Sequence, residues 1–168
     1  GKELSFNNIL DLNAALSIAA EFEAPAAVVI KHNTPSGVSM AGGLAEAYRR
    51  AYEADSVAAY GGVVGLNRTV DKETAAAMAE TFLEAVIAPA FSEEALTILR
   101  SKKNLRILCT GELAELKQTV DVKRVVGGFL LQDADSLGDV GSLRQTFNTA
   151  TKRSPSADEW DDLLFSWI

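Results

Sequence analysis

Apolar residues near the start of the chain first follow a helical spacing and then form a continuous run. Between residues 8 and 22 they recur at intervals of three and four, which predicts an amphipathic helix capped by Asn7 or Asn8. The predicted apolar stripe consists of Ile9, Leu12, Ala15, Leu16 and Ala19. Residues 26–30, which follow Pro25, are all apolar, as is typical of a strand buried on both faces of a sheet. The pattern therefore predicts a helix followed by a buried strand.

The same alternation continues along the chain. It predicts helices over residues 44–54 and 72–82 and from residue 92 onward, and strands over residues 60–66, 84–88, 105–109 and 124–131. Asp71 and Ser92 are placed to cap the second and third of these helices. Strands that alternate with helices of this length predict crossover connections and a mostly parallel sheet. The predicted fold class is α/β, with helices on both faces of the sheet in a three-layer α/β/α arrangement.

The last part of the chain carries a helix signal of its own. Residues 133–141 are the nearest approach to a linker, and Ser156 and Glu159 have the spacing of a capping box. The helix that follows would present an apolar stripe made of Trp160, Leu163, Leu164, Trp167 and Ile168. Such a stripe needs a cover. Two interpretations stay open: the helix docks on its own core, or the chain is the front portion of a longer protein.

Composition limits the class of partner. The chain has 168 residues, of which 48% are hydrophobic and 23% charged, which suits one domain or part of a larger one. Sixteen basic and twenty-three acidic residues give a net charge of -7, which argues against nucleic acid or an anionic membrane surface as partner. A single cysteine, Cys109, excludes an internal disulfide, and its place at the end of an apolar run favours core packing. Without a membrane-length apolar run or a signal peptide pattern, we expect a cytosolic protein.

The segment KHNTPSG, residues 31–37, is the first candidate site. His32 is the one histidine of the chain, and Lys31 stands beside it directly after the predicted buried strand. A lone histidine is often structural, and a lysine at a strand end is often simply solvated. Ligands of open α/β sheets, however, bind beyond the carboxyl ends of strands. Thr34, Pro35 and Gly37 predict a stiff, tight turn there, which would hold the Lys31–His32 pair in place.

Two glycine pairs are weaker candidates. Gly61 and Gly62 stand where a strand begins and would permit close approach of the backbone to a ligand, or else form a bulge or a tight packing contact. Gly42 and Gly43 precede a helix, but they lack the spacings of phosphate-binding loops, so a plain turn is the simpler interpretation. Glu84 stands at the start of a predicted strand.

Five blocks of the sequence carry a family resemblance. They are GKELSFNN, IKHNTPSG, DSVAAYGGVV, VIAPAFSEEALTILRSKKNLRIL and SADEWDDLLFSW, which begin at residues 1, 30, 55, 86 and 156. In this order they resemble consecutive blocks of AICAR transformylase, the part of a bifunctional purine biosynthesis family whose other part is IMP cyclohydrolase. Five collinear blocks over nearly the whole chain are more specific than any single motif.

The resemblance implies a fold and a domain organisation. Transformylases of this family have two related subdomains with a cytidine-deaminase-like α/β/α fold, and residues 1–168 resemble the first of them. The cyclohydrolase domain, the second transformylase subdomain, an arginine-bearing segment before residue 1 and an asparagine-containing block after residue 167 would lie outside this chain. Family members are homodimers with shared sites, so a homodimer is expected for the full-length protein.

The resemblance also implies an activity, formyl transfer from the co-substrate 10-formyltetrahydrofolate to the 5-amino group of AICAR. In the family the pair matching Lys31 and His32 is catalytic: the imidazole accepts the amine proton and the ammonium stabilises the oxyanion. Asn8, Gly61 and Glu84 match positions that contact the nucleotide. The expected partners are AICAR and the folate, with no metal, nucleic acid or membrane.

Two alternatives stand beside this reading. The chain could be a catalytically incomplete fragment that only binds nucleotide or mediates dimer contacts. The deaminase-like fold also suggests a zinc-dependent nucleobase deaminase, but that chemistry needs a zinc-binding histidine or cysteine together with a CxxC pair. One histidine and one cysteine in the whole chain cannot supply this set of ligands.

Overall fold

The computed structural model of the chain describes residues 2–112, 120–135 and 140–168. The chain divides into two compact units, Gly1–Glu115 and Leu116–Ile168. No helix within these described ranges is long and apolar enough to cross a membrane.

Over residues 2–112 the first unit contains one five-stranded sheet and four helices. In chain order the elements are α1 Phe6–Ala20, β1 Ala26–Lys31, β2 Thr34–Met40, α2 Leu44–Ala54, β3 Gly62–Leu66, α3 Lys72–Ala79, β4 Leu83–Ala88, α4 Glu93–Arg100 and β5 Arg106–Cys109. The strand order is β2-β1-β3-β4-β5. Strands β3, β4 and β5 are parallel, whereas β1 is antiparallel to both of its neighbours. Four strands therefore run in one direction and β1 alone runs against them.

Helices cover both faces of this sheet. On one face α1 packs its buried Leu12, Ala15 and Ala19 against apolar side chains of β1, β3 and β4. On the other face α2, α3 and α4 pack over the alternate side chains of the same strands. The predicted α/β class, with three layers and a mostly parallel sheet, is confirmed. Because β1, β3 and β4 are covered on both faces, their sequences are nearly continuous apolar runs.

The helix starts show which capping predictions were right. Asp71 accepts a hydrogen bond from the backbone N–H of Thr74 at 2.8 Å and caps α3, as predicted. Ser92 likewise caps α4, also as predicted. The cap predicted for α1 was wrong, because Ser5 caps this helix and Asn8 completes a capping box three residues later.

The apolar stripe of α1 differs from the prediction at one end. Ile9 is 56% exposed, whereas Asn8 is 5% exposed. Asn8 stands four residues before the buried Leu12 and so shares its face of the helix, while Ile9 lies at the margin of that face. The helix thus carries a polar side chain on its buried face close to its amino end.

The turn predicted at Thr34, Pro35 and Gly37 was wrong, because these residues belong to strand β2. Proline is tolerated there since β2 lies at the edge of the sheet and has a neighbour on one side only. A Cβ atom at Gly37 would lie 1.9 Å from the backbone oxygen of Ala51 in α2. Gly37 therefore serves close helix packing rather than a turn.

The described residues of the second unit form a hairpin and two helices. The hairpin is formed by β6 Val120–Val125 and β7 Gly128–Asp133, and the helices are α5 Val140–Thr146 and α6 Ala157–Trp167. The single strand predicted over residues 124–131 was wrong, because Gly127, with φ of 87°, reverses the chain in the middle of that run. The predicted capping box of Ser156 and Glu159 is present. Residues 136–139 of the predicted linker over 133–141 lie outside the described residues.

The apolar side of α6 has an aromatic neighbour in its own unit. The ring of Phe147 lies 6.5 Å from the ring of Trp160 and 5.3 Å from that of Trp167, between ring centroids. Trp167 nevertheless remains 60% exposed and Leu163 52% exposed. The predicted stripe is therefore partly covered within the chain.

Candidate functional site

The candidate pair lies at a two-residue hairpin turn. Lys31 ends β1 and pairs with Thr34 of β2, so His32 and Asn33 form the loop between them. Their φ angles are 53° and 61°, and positive values at both central residues define a type I′ turn. The tight turn therefore lies at His32 and Asn33, directly before the predicted position, and Thr34, Pro35 and Gly37 belong to the strand that follows it.

The side chain of Lys31 is anchored by backbone oxygens. Its Nζ donates to the carbonyl oxygen of Tyr60 at 2.7 Å and lies 3.2 Å from that of Gly61. An ammonium has three N–H donors, so one donor remains for a ligand. The lysine is half-buried and is therefore more than a solvated strand-end residue. The imidazole of His32 is exposed and has no hydrogen-bond partner among the described residues.

Gly61 has a conformation and a position that both favour glycine. Its φ is 69°, and a Cβ atom there would lie 3.2 Å from Nζ of Lys31 and from the ring of Phe82. Its N–H donates to the backbone oxygen of Phe82 at 2.9 Å. The register between β3 and β4 shifts after Gly62, so this glycine pair forms a bulge with tight packing.

A second group of contacts surrounds Glu84. Nδ2 of the buried Asn8 donates to Oε2 of Glu84 at 3.1 Å. Nη1 of Arg106 lies 4.0 Å from the same carboxylate oxygen, and Nε of Arg106 donates to the backbone oxygen of Glu3 at 2.9 Å. The side chain of Glu84 is 46% exposed, so its carboxylate is held by the protein and still open to solvent.

These residues lie at the same end of the strands of the sheet. Gly62, Leu83 and Arg106 begin three parallel strands, and β1 reaches the same place with its carboxyl end because it runs against them. The expected position of the pair at the carboxyl end of a strand holds for β1 but not for the parallel strands beside it. Lys31 and His32 do follow the carboxyl end of their own strand, but they meet the amino ends of the neighbouring strands.

Among the predicted site residues, the structure brings together two pairs. Lys31 contacts Gly61, and Asn8 contacts Glu84. The imidazole of His32 contacts neither Asn8 nor Glu84 by a hydrogen bond in the described part of the chain. An exposed aromatic pair also borders this end of the strands, since the rings of Tyr60 and Phe82 lie 5.0 Å apart beside a cavity of about 520 Å³.

Two contact residues were missed from the sequence. One is Arg106, which lies beside Glu84; the other is Asp11, whose Oδ1 accepts a hydrogen bond from the backbone N–H of Asn33 at 2.7 Å. No motif marks either residue. The one available signal was helical spacing, because Asp11 stands three residues after Asn8 and therefore on the same side of α1.

Cys109 lies at the other end of the strands, away from Lys31 and His32. It ends β5, is exposed, and donates from Sγ to the backbone oxygen of Pro89 at 2.9 Å. The prediction that it packs in the core was wrong because β5 is the last strand of the sheet. His32 and Cys109 are thus separated by the length of the strands. In the described ranges no three histidine, cysteine, aspartate or glutamate side chains cluster in a way that could hold a metal ion.

Comparison with known proteins identifies similar sequences over the whole chain. The profile of the family described as AICARFT/IMPCHase bienzyme matches residues 1–168. The chain is 52% identical over 173 aligned residues to the bifunctional purine biosynthesis protein PurH of Myxococcus xanthus (strain DK1622), covering 99% of this chain and 33% of that protein. It is 49% identical to the proteins of the same name from Anoxybacillus flavithermus and Bacillus cereus (strain B4264), covering 99% of this chain and 32% of each. The chain thus spans about a third of the length of the curated relatives it matches.

Proposed function

Because the chain belongs to the AICARFT/IMPCHase bienzyme family, we propose that it carries the catalytic pair of an AICAR transformylase. The reaction is transfer of the formyl group of 10-formyltetrahydrofolate to the 5-amino group of AICAR, in the biosynthesis of the purine nucleotide IMP. The relatives are named as bifunctional purine biosynthesis proteins, which fits a parent protein that also carries IMP cyclohydrolase activity.

The observation that carries this proposal is that Lys31 and His32 lie together at the β1–β2 hairpin turn, at the same end of the strands as the half-exposed carboxylate of Glu84. The acceptor amine is conjugated with a carboxamide and is a weak nucleophile, so it must lose a proton as it attacks. The exposed imidazole of His32 is available to accept that proton as the new bond to the formyl carbon forms.

Lys31 has the complementary role. Two carbonyl oxygens hold its Nζ in place, and the remaining N–H can donate to the oxyanion that develops on the formyl group. When the bond from the formyl carbon to the folate nitrogen breaks, that nitrogen takes the proton back from His32. Removing a donor of this kind typically lowers kcat by about 10²–10³.

The nucleotide contacts are proposed at the same end of the strands. The half-exposed carboxylate of Glu84 can accept from a ligand N–H or O–H, while Asn8 and Arg106 hold it in one orientation. At Gly61 the missing side chain keeps the backbone open and leaves room for Lys31. The buried position of Asn8 suits an orienting role better than an extensive ligand contact.

Several parts of the proposal concern the full-length protein. We propose that residues 1–168 form the first of two transformylase subdomains, that the folate site needs the second, and that the protein is a cytosolic homodimer. The chain spans about a third of its relatives, so the alternative of an incomplete fragment has a specific observation in its favour.

The experiment is an assay of AICAR and 10-formyltetrahydrofolate turnover with the full-length polypeptide and, separately, with residues 1–168. In the full-length protein His32→Ala should lower kcat by about 10²–10⁴, the usual contribution of a general base. Asn13→Ala, an exposed position on α1, is the matched control and should leave turnover unchanged. Normal turnover by His32→Ala would refute the assignment, and activity only in the full-length protein would identify residues 1–168 as the incomplete fragment.

The deaminase alternative loses further support from the geometry. A zinc site would need His32 and Cys109 close together, but they lie at opposite ends of the strands. Stoichiometric zinc in the purified protein, together with deaminase activity, would reverse this conclusion.

A further inference from the structure

The backbone of His32 is in an unusual conformation for a residue with a side chain. A φ of 53° lies in the left-handed region, which non-glycine residues occupy rarely and at a cost in free energy. Asn33, with φ of 61°, lies in the same region, but asparagine tolerates it better. Type I′ turns usually place asparagine, aspartate or glycine at both positions. Histidine occurs in the left-handed region more often than most residues with a side chain, but it is not a usual residue of a type I′ turn, so contacts from outside the hairpin would help to hold this turn.

The turn is held from α1. The carboxylate of Asp11 accepts the N–H of Asn33 at 2.7 Å, a short distance that is typical of a charge-assisted hydrogen bond. On the strand side, the pair Lys31 and Thr34 closes the hairpin. Asp11 is thus the side chain outside the hairpin that binds the backbone of the two-residue loop in the described part of the chain.

Asp11 is itself on a rigid support. It is half-buried in the second turn of α1, next to Leu12, which is 2% exposed in the core under the sheet. Asn8, one turn earlier, contacts Glu84. One face of α1 therefore connects the turn that carries His32 with the carboxylate proposed to contact the nucleotide. Side chains on a packed helix hold a geometry more accurately than side chains on loops.

We propose that Asp11 is a positioning residue for His32, which it aims by fixing the Asn33 N–H and so the left-handed turn. The expected effect on catalysis rests on the proposed catalytic role of His32. The anchoring of the turn by the hydrogen bond from the Asn33 N–H to Asp11 does not. Asp11 touches neither substrate in this scheme. It acts through the imidazole, so its loss should affect the chemical step and leave substrate binding nearly unchanged.

The first test is steady-state kinetics on the full-length polypeptide with AICAR and 10-formyltetrahydrofolate. Asp11→Ala should lower kcat about 10- to 100-fold, since small misplacements of a catalytic group have effects of this size, with both KM values changed less than about twofold. Asp11→Asn keeps an acceptor oxygen and should retain most of the rate. Asn13→Ala on the same helix is the control and should behave as wild type.

The second test separates positioning from a general structural effect. If Asp11 acts through His32, then adding Asp11→Ala to His32→Ala should lower kcat no further. A general effect would instead multiply the two losses. Multiplicative losses, or a loss confined to KM, would overturn the inference. So would a rate for Asp11→Asn as low as that of Asp11→Ala, provided that both fold by circular dichroism.

The third test does not depend on activity. Hydrogen–deuterium exchange of the segment containing the Asn33 amide should be faster in Asp11→Ala than in wild type and Asn13→Ala, because the N–H loses its acceptor. If wild type fails to transfer the formyl group, the proposed function is wrong while this measurement still tests the anchor. If the exchange rate is unchanged in Asp11→Ala, the inference itself is wrong.

Discussion

Substitution of Gly61 by alanine tests the packing of the site directly. The structure gives Gly61 two reasons to be glycine, a left-handed φ of 69° and a space filled by Nζ of Lys31 and the ring of Phe82 at 3.2 Å from a Cβ. A left-handed alanine costs about 1–2 kcal/mol. Displacing Nζ from its carbonyl acceptors adds roughly the worth of one hydrogen bond to a charged group, about 1.5–3 kcal/mol before relaxation. We expect Gly61→Ala to lower the free energy of unfolding by about 3 kcal/mol.

Two other glycines separate these contributions. Gly111 has a left-handed φ of 77° but open space where a Cβ would lie, so Gly111→Ala should show the backbone cost alone, about 1–2 kcal/mol. Gly42 has open space and no left-handed conformation, so Gly42→Ala should be neutral within about 0.5 kcal/mol. The order of stability should be Gly42→Ala, then Gly111→Ala, then Gly61→Ala.

The assay is urea unfolding followed by far-ultraviolet circular dichroism, with formyl transfer measured on the same substitutions in the full-length protein. Gly61→Ala should lower kcat at least tenfold because it moves Lys31, whereas Gly111→Ala lies beyond the opposite end of the strands and should keep kcat within about twofold. If Gly61→Ala proved as stable and as active as Gly42→Ala, the contact between Gly61 and Lys31 would not constrain the site, and our description of the site would be wrong.

Three further predictions concern stability. Burial raises the pKa of Tyr48 from its ordinary value of 10.0 to about 12. Its protonated form therefore contributes stability that is complete below about pH 10 and is lost as the pH rises from 10 to 12, by up to about 2.7 kcal/mol. Urea unfolding of Tyr48→Phe and of the control Tyr52→Phe at pH 8 and pH 11.5 should therefore show that the free energy of unfolding falls between the two pH values in the control and falls less in Tyr48→Phe. Equal losses of stability in the two would contradict this. The backbone N–H of Thr74 lowers the pKa of Asp71, so this cap contributes above the ordinary value near 4 and its contribution is lost as the pH falls through the lowered value. Asp71→Ala should cost about 1 kcal/mol at pH 7 and less at pH 3, and a pH-independent cost would refute the ionised cap. Gly37→Ala should lower the melting temperature strongly, because its Cβ would lie 1.9 Å from a backbone oxygen of α2, and an unchanged melting temperature would contradict that packing.

The sequence was a good guide wherever one element's own residues decide its structure. Helix α2 was predicted at Leu44–Ala54 and is observed there, because its buried residues recur at helical intervals and the rest are polar. The caps Asp71, Ser92 and Ser156 were also readable, since each bonds a backbone N–H three residues away. The proposed catalytic pair, Lys31 and His32, could be nominated from residue type and the family resemblance alone.

The sequence misled wherever a partner distant along the chain decides. Pro35 and Gly37 suggested a turn by their local preferences, but pairing with β1 and packing under α2 place them in a strand. The direction of β1 is likewise decided by its partner strands rather than by its own residues. Its short hairpin to β2 and its antiparallel pairing with β3 bring Lys31 to the amino ends of the other strands.

By itself, then, the sequence determined the α/β class, most of the helices and strands, and the side-chain types available at the candidate site. Periodicity, capping and side-chain type are local properties, and they survive in any arrangement of the elements. Only the tertiary structure decided that β1 runs against its neighbours, that His32 stands in a left-handed turn, and that Asp11 and Asn8 reach across from α1. Those contacts join residues far apart in the chain, because a hydrogen bond depends on distances that only the packed core sets.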